Sequence, residues 1–413
     1  MPTFDASNSQ AEACATYKWY AVAMLWWIAF FNYADRQAVF SVFPLLKREF
    51  NLDTVQLGLL GSSFAWVYGL SAPFAGAIVD RLRRKPVILG GLHVWSLICM
   101  ATAFSRNFGT LLFFRGAEGL GETFYFPASM SLLSDYHGQP TRSRALGLHQ
   151  TSVYIGTIAG GFFAGLIGQR YGWRWSFVVF GGLGILLGLA LNKWLIEPNR
   201  SSAEPRPTEP RPEGSAFLNP TALLLMAAFL CANFVALVLL SWMPSFLHDK
   251  FNLGLAASGL TATLFVQLAS MAGSPAGGWW ADALRGKMPG GRMLVQAIGL
   301  AAGAPFVVLC GWTRSVPLLI VALTAWGFFK GIYDANIFAS IFDVIPAEAR
   351  GRAAGLMNMV GWLGGGIAPV AVGYVAQRSS LSAAIMLTAS VYVLGALLLA
   401  AAVIRVHSRS SAA

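Results

Sequence analysis

The chain has 413 residues, of which 56% are apolar and only 11% are charged, whereas about a quarter of the residues in a soluble domain carry a charge. This composition excludes an ordinary soluble domain and indicates a protein embedded in lipid. The formal charge of +11 would suit a nucleic-acid binder, but the basic residues do not collect in one soluble patch. We therefore expect a lipid bilayer around the chain and no nucleic-acid partner.

Apolar runs bounded by glycine, proline or charge clusters predict twelve membrane-spanning helices of about 20 residues or more. The first six are expected at 19–43, 56–79, 86–105, 109–135, 145–168 and 175–196, and the second six at 219–244, 256–281, 291–312, 316–342, 353–376 and 382–404. The stretch between the two sets is rich in proline and in charges of both signs, so it predicts a solvated linker. The predicted organisation is an N-terminal tail at 1–18, a six-helix bundle at 19–196, a linker at 197–217, a second bundle at 218–404 and a C-terminal tail at 405–413.

The placement of the basic residues predicts the orientation. Most of the 29 Lys and Arg residues fall in cytoplasmic segments if the N-terminus is cytoplasmic. The positive-inside rule then predicts a multi-pass protein of the inner (plasma) membrane with both termini in the cytoplasm. Residues 1–17 are too polar for a signal peptide, so the first apolar stretch is expected to be retained as a helix. The four cysteines show neither metal-site spacing nor a disulfide pattern, and we expect no metal and no cofactor.

An internal repeat indicates two equivalent halves. The stretch Arg142-Ser-Arg-Ala-Leu-Gly-Leu recurs as Arg350-Gly-Arg-Ala-Ala-Gly-Leu, and Phe50-Asn-Leu recurs as Phe251-Asn-Leu. Several polar residues recur at one constant spacing along the chain, which argues against chance similarity between glycine-rich helices. Halves related by an axis along the membrane normal place the substrate site at their interface near the bilayer midplane. The predicted fold class is an all-α polytopic membrane protein with twelve transmembrane helices in two pseudo-symmetric six-helix bundles.

The loop after the second predicted span carries a charged motif. It begins at Gly76 and includes Asp80, Arg81 and Arg84, and a weaker copy in the second half contains Asp282. Glycine permits close helix contact, the aspartate can close the cytoplasmic end by ion pairing, and the basic run holds the loop inside. The motif resembles the loop signature of the major facilitator superfamily, which implies a gating role for these residues. A loop that only sets the topology is the alternative.

The fourth predicted span places three charges on one helix face. Arg115, Glu118 and Glu122 stand at i, i+3 and i+7. A charge at the centre of a membrane helix costs about 2.5–3.5 kcal/mol, so three on one face predict a protein-lined or wet cavity. The first span contains Asn32-Tyr-Ala-Asp-Arg, also well inside its helix. Together the two motifs resemble the spinster-like branch of the superfamily.

That resemblance implies proton-coupled or facilitative movement of an amphipathic or organic solute. It gives functional positions to Asp35, Arg36, Arg115 and Glu122. A membrane carboxylate beside an arginine can switch between a paired and a protonated form, as proton coupling requires. We expect Asp35 to be the principal proton carrier, assisted by Arg115. A static buried ion pair that only orients the helices is the alternative.

Polar and aromatic residues inside the spans are candidates for solute binding. Lys330 and Asp334 lie four residues apart in the tenth span, and the repeat places Lys330 at the position equivalent to Glu122. We therefore expect Glu122 and Lys330 on facing walls of the cavity, with a local Lys330–Asp334 pair as the alternative. The candidate solute-binding residues are Asn32, Tyr33, Glu118, Tyr125, Tyr154, Asn233, Lys330 and Asp334.

No phosphate-binding loop of the form GxxxxGK[ST] occurs in the sequence, and an enzyme is not expected. The predicted function is secondary active transport of a small anionic or amphipathic organic solute by alternating access. We expect a proton symporter that works as a monomer. A lipid or lysolipid carrier and a facilitative uniporter are alternatives within transport. A non-transporting receptor on the same scaffold is an alternative of another class, which would need an added soluble domain.

Overall fold

The computed structural model describes residues 6–197, 219–346 and 349–410, and these residues form sixteen α-helices and no strand. The first half contains α1 (Ala6–Ser41), α2 (Phe43–Phe50), α3 (Thr54–Arg81), α4 (Arg84–Thr102), α5 (Phe108–Glu122), α6 (Tyr125–Tyr136), α7 (Gln139–Tyr171) and α8 (Trp173–Trp194). The second half contains α9 (Pro220–Phe251), α10 (Leu255–Arg285), α11 (Gly291–Trp312), α12 (Val316–Asp334), α13 (Ile337–Val344), α14 (Arg350–Arg378), α15 (Leu381–Leu387) and α16 (Ala389–Ser410). The predicted linker, apart from Glu197, and the last residues of the C-terminal tail lie outside the described residues.

The chain crosses the bundle twelve times, because eight of the sixteen helices join in consecutive pairs. These pairs are α1 with α2, α5 with α6, α12 with α13, and α15 with α16. Within the described residues, ten stretches are long and apolar enough to span a membrane by length and composition. The first and fourth crossings are not among the ten, since they carry the charged motifs around Asp35 and Arg115. The charged residues that lower the hydropathy of these two crossings are the same residues that the sequence analysis predicts to be functional.

Two spans that the sequence predicts as continuous, 109–135 and 316–342, are interrupted in the structure. The first breaks between α5 and α6, where Thr123 donates through Oγ1 to the carbonyl of Tyr68 on α3 at 3.0 Å. The second breaks between α12 and α13, where Asn336 donates through Nδ2 to the carbonyl of Gly277 on α10 at 3.0 Å. Both bonds join neighbouring helices, so no local pattern in the sequence predicts them.

Helix α1 begins at Ala6 rather than at residue 19, so much of the predicted N-terminal tail is helical. The hydroxyl of Tyr17 donates to the carbonyl of Trp194 at 2.7 Å and accepts from the amide of Ile196 at 2.8 Å. The start of α1 is therefore bonded to the end of α8. The polar composition of this segment concealed its helicity, because the residues that stabilise it lie far away in the sequence.

The internal repeat reappears in the backbone. Asn51 follows α2 and Asn252 follows α9, and the two adopt the left-handed conformation with φ of 50° and 55°. Asparagine is one of the few residues other than glycine that tolerates this conformation. The repeated Phe-Asn-Leu sequence thus ends equivalent helices at equivalent turns.

The two halves make close contact at the end of the bundle opposite the chain termini. Thr54 at the start of α3 donates through Oγ1 to the carbonyl of Gly373 on α14 at 2.7 Å. On α7, a Cβ atom added at Gly161 would lie 2.7 Å from the carbonyl oxygen of Gly259 on α10. Small residues allow backbones to approach this closely in membranes. The halves are therefore sealed along α3–α14 and α7–α10 at this end.

The same helices separate towards the end that carries the termini. Four glycines lie in the half of their helices that is nearer the chain termini: Gly76 on α3, Gly147 on α7, Gly278 on α10 and Gly355 on α14. No atom of the described residues lies within 4 Å of a Cβ added at any of them. The interface between the halves is consequently closed at one end and open at the other.

Candidate functional site

A cavity of about 650 Å³ lies between the two halves, next to the sealed part of their interface. Its lining includes charged and polar side chains from both halves. From the first half these are Tyr33, Arg36, Gln37, Arg115, Gln150, Tyr154 and Thr157, and from the second Asn233, Gln267, Ser274, Lys330 and Asp334. Charged residues at membrane depth face such cavities because contact with lipid is costly.

Two buried ion pairs lie on α1 and α5, behind the side of the cavity that the first half forms. The Nε of Arg36 donates to Glu122, and Nη1 of Arg115 donates to Glu118. Both carboxylates are fully buried and absent from the cavity lining, whereas both arginines contribute to it. The wall therefore presents guanidinium groups to the cavity and keeps their counter-charges among the packed helices.

Aromatic rings surround the guanidinium of Arg36. Its Cζ lies 4.6 Å from the ring centre of Tyr33, 4.7 Å from that of Tyr68, 5.1 Å from that of Phe64 and 5.4 Å from that of Trp362. Desolvated cation–π contacts of this kind hold a guanidinium in place. Its Nη1 is buried and has no hydrogen-bond acceptor among the described residues.

Asp35 occupies a different environment from its neighbour Arg36. Its side chain is 1% exposed, and neither carboxylate oxygen has a hydrogen-bond partner within the described ranges. Asp35, Glu118 and Glu122 face only Arg36 and Arg115 in this buried cluster, so three carboxylates accompany two guanidinium groups. If all five groups were ionised, one negative charge would remain uncompensated, and a buried charge without a partner is costly.

The cluster that comes closest to a metal site consists of Asp35, Cys99 and Glu118. Their ligand atoms lie within 4.8 Å of one another, and all three residues are buried. Glu118 is already paired with Arg115, however, and that guanidinium would repel a cation placed beside it. The donor set also mixes a soft thiolate with hard carboxylates. The spacing alone does not make this a convincing metal centre.

The second half contributes one ion pair to the cavity. Lys330 donates to Asp334 one turn later on α12, and both residues line the cavity. The local pair that the sequence offered as an alternative is therefore present in this conformation. Glu122, by contrast, does not line the cavity and does not face Lys330 across it. Its ion-pair partner Arg36 lines the cavity instead.

The cavity brings together seven of the sequence-predicted residues. Tyr33, Arg36, Arg115, Tyr154, Asn233, Lys330 and Asp334 line it. Asp35, Asn32, Glu118, Glu122 and Tyr125 are buried and do not. Tyr125 instead donates to the carbonyl of Leu25 at 2.6 Å and contacts Nε2 of His149 at 2.9 Å, which connects α6 to α1 and α7.

Residues of the predicted gating motif lie at the end with the termini. Arg84 is buried and paired with Asp135, and Glu197 accepts from the backbone amide of Arg84 at 2.8 Å. In the second half, Arg292 bridges Asp282 at 2.7 Å and Asp343 at 3.1 Å.

The other gating candidates differ in what the structure describes. Arg81 is exposed at the last residue of α3, and Gly76 faces open space. The side chain of Asp80 lies outside the described part of the structure.

Some cavity residues escaped the sequence analysis. Gln37, Gln150 and Gln267 are polar residues in apolar spans, which is a usable signal for a cavity. Trp362 offers no such signal, because tryptophan is common in membrane helices. Its role becomes visible only when α14 places its ring against Arg36 and 4.8 Å from the ring centre of Tyr68.

Two curated relatives match most of the chain. The probable galactarate/D-glucarate transporter GudP of Escherichia coli is 24% identical over 411 residues, which cover 91% of this chain and 90% of that protein. Human protein spinster homolog 1 is 30% identical over 314 residues, which cover 70% of this chain and 59% of the human protein. The chain spans only 63% of the length of another relative, which comes from a plant. The Escherichia coli and plant relatives are named as transporters.

The fold also matches a solved structure. A bacterial homologue of the human lysosomal transporter Spinster, in an inward-facing and occupied conformation, superposes with a TM-score of 0.84 at 19% identity, covering 95% of this chain and 98% of that one. The predicted twelve-helix fold and the predicted likeness to the spinster-like branch are confirmed. The profile of the Major Facilitator Superfamily matches residues 25–304 and 259–413. The chain is thus a multi-pass membrane protein that belongs to the major facilitator superfamily.

Proposed function

We propose that the chain transports small organic anions, with a carboxylate of the solute bound at Arg36. The carrying observation is the guanidinium of Arg36, which lines the cavity, is held by four aromatic rings and keeps one donor without an acceptor in the described structure. Arginine suits carboxylate recognition because its planar donors match the two oxygens. Arg115 adds a second positive charge beside it. The sugar-acid transporter among the relatives supports the same class of solute.

The charge balance of the buried cluster supports proton coupling. The buried cluster contains three carboxylates against the two guanidinium groups of Arg36 and Arg115. An anionic solute would add a further negative charge to a dry region, which is unfavourable unless a proton enters with it. We assign that proton to Asp35, whose oxygens have no hydrogen-bond partner among the described residues, with Glu122 as the second acceptor.

The proposed cycle is alternating access by one chain in the plasma membrane. Both walls of the cavity come from the same chain, so a monomer suffices as the transport unit. The excess of basic residues in the segments on the termini side supports a cytoplasmic location for both termini. With that orientation, the described conformation is sealed outside and open to the cytoplasm.

Uptake by proteoliposomes tests the proposed function directly. We expect wild-type protein to accumulate D-glucarate or a related sugar acid when the lumen is alkaline, and to lose accumulation when the pH gradient is collapsed. Uptake that stops at equal concentrations and ignores the pH gradient would contradict proton coupling and favour a facilitative uniporter. Binding of a lysophospholipid, with no sugar acid or other organic anion bound, would favour the lipid-carrier alternative.

A second prediction concerns closure of the open end. A Cβ atom added at Gly69 on α3 would lie 3.0 Å from Trp362 on α14. Gly76 and Gly355 lie seven residues further along each helix, two turns nearer the open end and on the same faces. We expect these two glycines to meet when the open end closes, so Gly76→Leu should lower the uptake rate about tenfold by hindering closure. Anion binding from the open side should remain.

The control for this prediction is Gly90→Leu on α4, an exposed position where an added Cβ also meets nothing. That variant should transport normally. Labelling of a cysteine introduced at Gln150, which lines the cavity, reports which end is open. Gly76→Leu should increase labelling from the termini side. Normal uptake by both Gly76→Leu and Gly355→Leu would contradict the predicted contact.

A further inference from the structure

The cavity carries positive charge on both of its walls. Arg36 and Arg115 come from α1 and α5 in the first half, and Lys330 comes from α12 in the second. A solute with a single carboxylate needs only the first of these walls. The presence of a cationic group on the opposite wall therefore raises the question of what it binds.

Lys330 has a partner in the absence of solute, and that partner is the more exposed of the two. The side chain of Lys330 is 16% exposed, whereas that of Asp334 is 37% exposed. A carboxylate that already contacts the cavity can turn into cavity water at little cost, while the ammonium stays in the wall. Displacement of Asp334 would leave Lys330 available to another carboxylate.

The surroundings of Lys330 also suit an incoming anion. Tyr154 on α7 lies close enough to interact electrostatically with Lys330 and Asp334, and it lines the same cavity. An ammonium group has three rotatable donors, so it can exchange one carboxylate oxygen for another without a fixed geometry. Gln267 and Ser274 on α10 add neutral polar groups to this side of the cavity.

We propose that Lys330 is a second carboxylate site, so that the chain selects dicarboxylic solutes over monocarboxylic solutes of the same length. The inference rests on the proposed function, because it assumes that one carboxylate is held at Arg36. The second carboxylate replaces Asp334 on Lys330. Such a solute is bound to both halves at once, whereas a monocarboxylate contacts charge on one half only.

Two probes that differ by one carboxylate test the proposal. D-glucarate has a six-carbon chain with two carboxylates, and D-gluconate has the same chain with one. We expect the purified wild type to bind D-glucarate more tightly, and Lys330→Gln to weaken D-glucarate binding about tenfold more than D-gluconate binding. Lys330→Arg should retain the preference. Asp334→Asn should strengthen D-glucarate binding, because the competing carboxylate is removed.

The matched control is Lys250→Gln. Lys250 donates to the carbonyl of Gly311 at 2.8 Å and does not line the cavity, so both affinities should stay at the wild-type level. Retained D-gluconate binding by Lys330→Gln shows in addition that the variant is folded. Equal losses for both probes, or no loss for either, would overturn the assignment of Lys330 and leave the proposed function standing. Failure of the wild type to bind any organic anion would overturn both.

Discussion

Replacing Asp35 by Asn should abolish proton-driven accumulation of the solute while leaving solute exchange between equal pools. Asp35 is buried on α1, and its oxygens have no hydrogen-bond partner in the described part of the chain. The Asn side chain is fixed in a neutral form of nearly the same shape, so the site stays occupied but cannot load or release a proton. A pH difference of about 1.7 units is worth about 2.3 kcal/mol per proton, enough for roughly fiftyfold accumulation of a solute that enters with one proton. We expect the Asp35→Asn variant to lose this accumulation of solute entirely.

Paired assays in proteoliposomes distinguish this outcome from simple inactivation. Accumulation is measured with an alkaline lumen, and exchange is measured with labelled solute at equal concentrations on both sides. Asp249→Asn is the matched control, since Asp249 is an exposed residue near the end of α9. If Asp35→Asn still accumulates solute against its gradient, Asp35 is structural and Glu122 becomes the better candidate for the proton carrier.

Arg36→Gln should weaken anion binding and also destabilise the protein. The substitution removes the cation that pairs with Glu122, a carboxylate that is fully buried. Breaking a buried pair by removing one partner typically costs about 3–5 kcal/mol, because the remaining charge has no compensation. The loss of the aromatic-held guanidinium should separately weaken anion binding by at least about tenfold, since a hydrogen bond to a charged group contributes about 1.5–3 kcal/mol.

A double substitution separates these two effects. Arg36→Gln combined with Glu122→Gln removes both charges, so most of the thermal stability should return while anion binding remains weakened. Arg174→Gln is the control, because Arg174 pairs with Glu49 at an exposed position where an ion pair contributes about 0–1 kcal/mol. Thermal unfolding in detergent and binding of D-glucarate provide the two measurements. Wild-type affinity in the double variant would remove Arg36 from the solute site.

The candidate site shows how far a sequence can identify functional residues in a membrane protein. Asp35, Arg36, Arg115, Glu118 and Glu122 were recognisable because charged residues inside apolar spans are expensive and are retained for a purpose. The sequence did not show all of the ion pairs that these residues form. The sequence spacing of Arg115 and Glu118 fits the pair observed on α5, but the pair of Arg36 with Glu122 joins residues 86 positions apart.

The division of the five charges between the cavity wall and the packed helices required the three-dimensional arrangement. The repeat placed Glu122 and Lys330 at equivalent positions, which suggested that they face each other. In the structure Glu122 turns towards Arg36 and away from the cavity, because a buried carboxylate is more stable beside a guanidinium than in a mostly apolar wall. The same repeat predicted that Lys330 faces the cavity, and Lys330 does line it.

By itself, the sequence determined the twelve crossings, the duplication and the family, since these depend on hydropathy and spacing that are local and repeat along the chain. Only the tertiary structure decided which end of the bundle is sealed, how Trp362 covers Arg36, and where α5–α6 and α12–α13 break. Those features arise from contacts between residues far apart in the chain, such as Thr54 with Gly373 and Gly161 with Gly259. A local pattern in the sequence indicates the environment that surrounds each helix. Which helices lie next to one another depends on how whole helices pack.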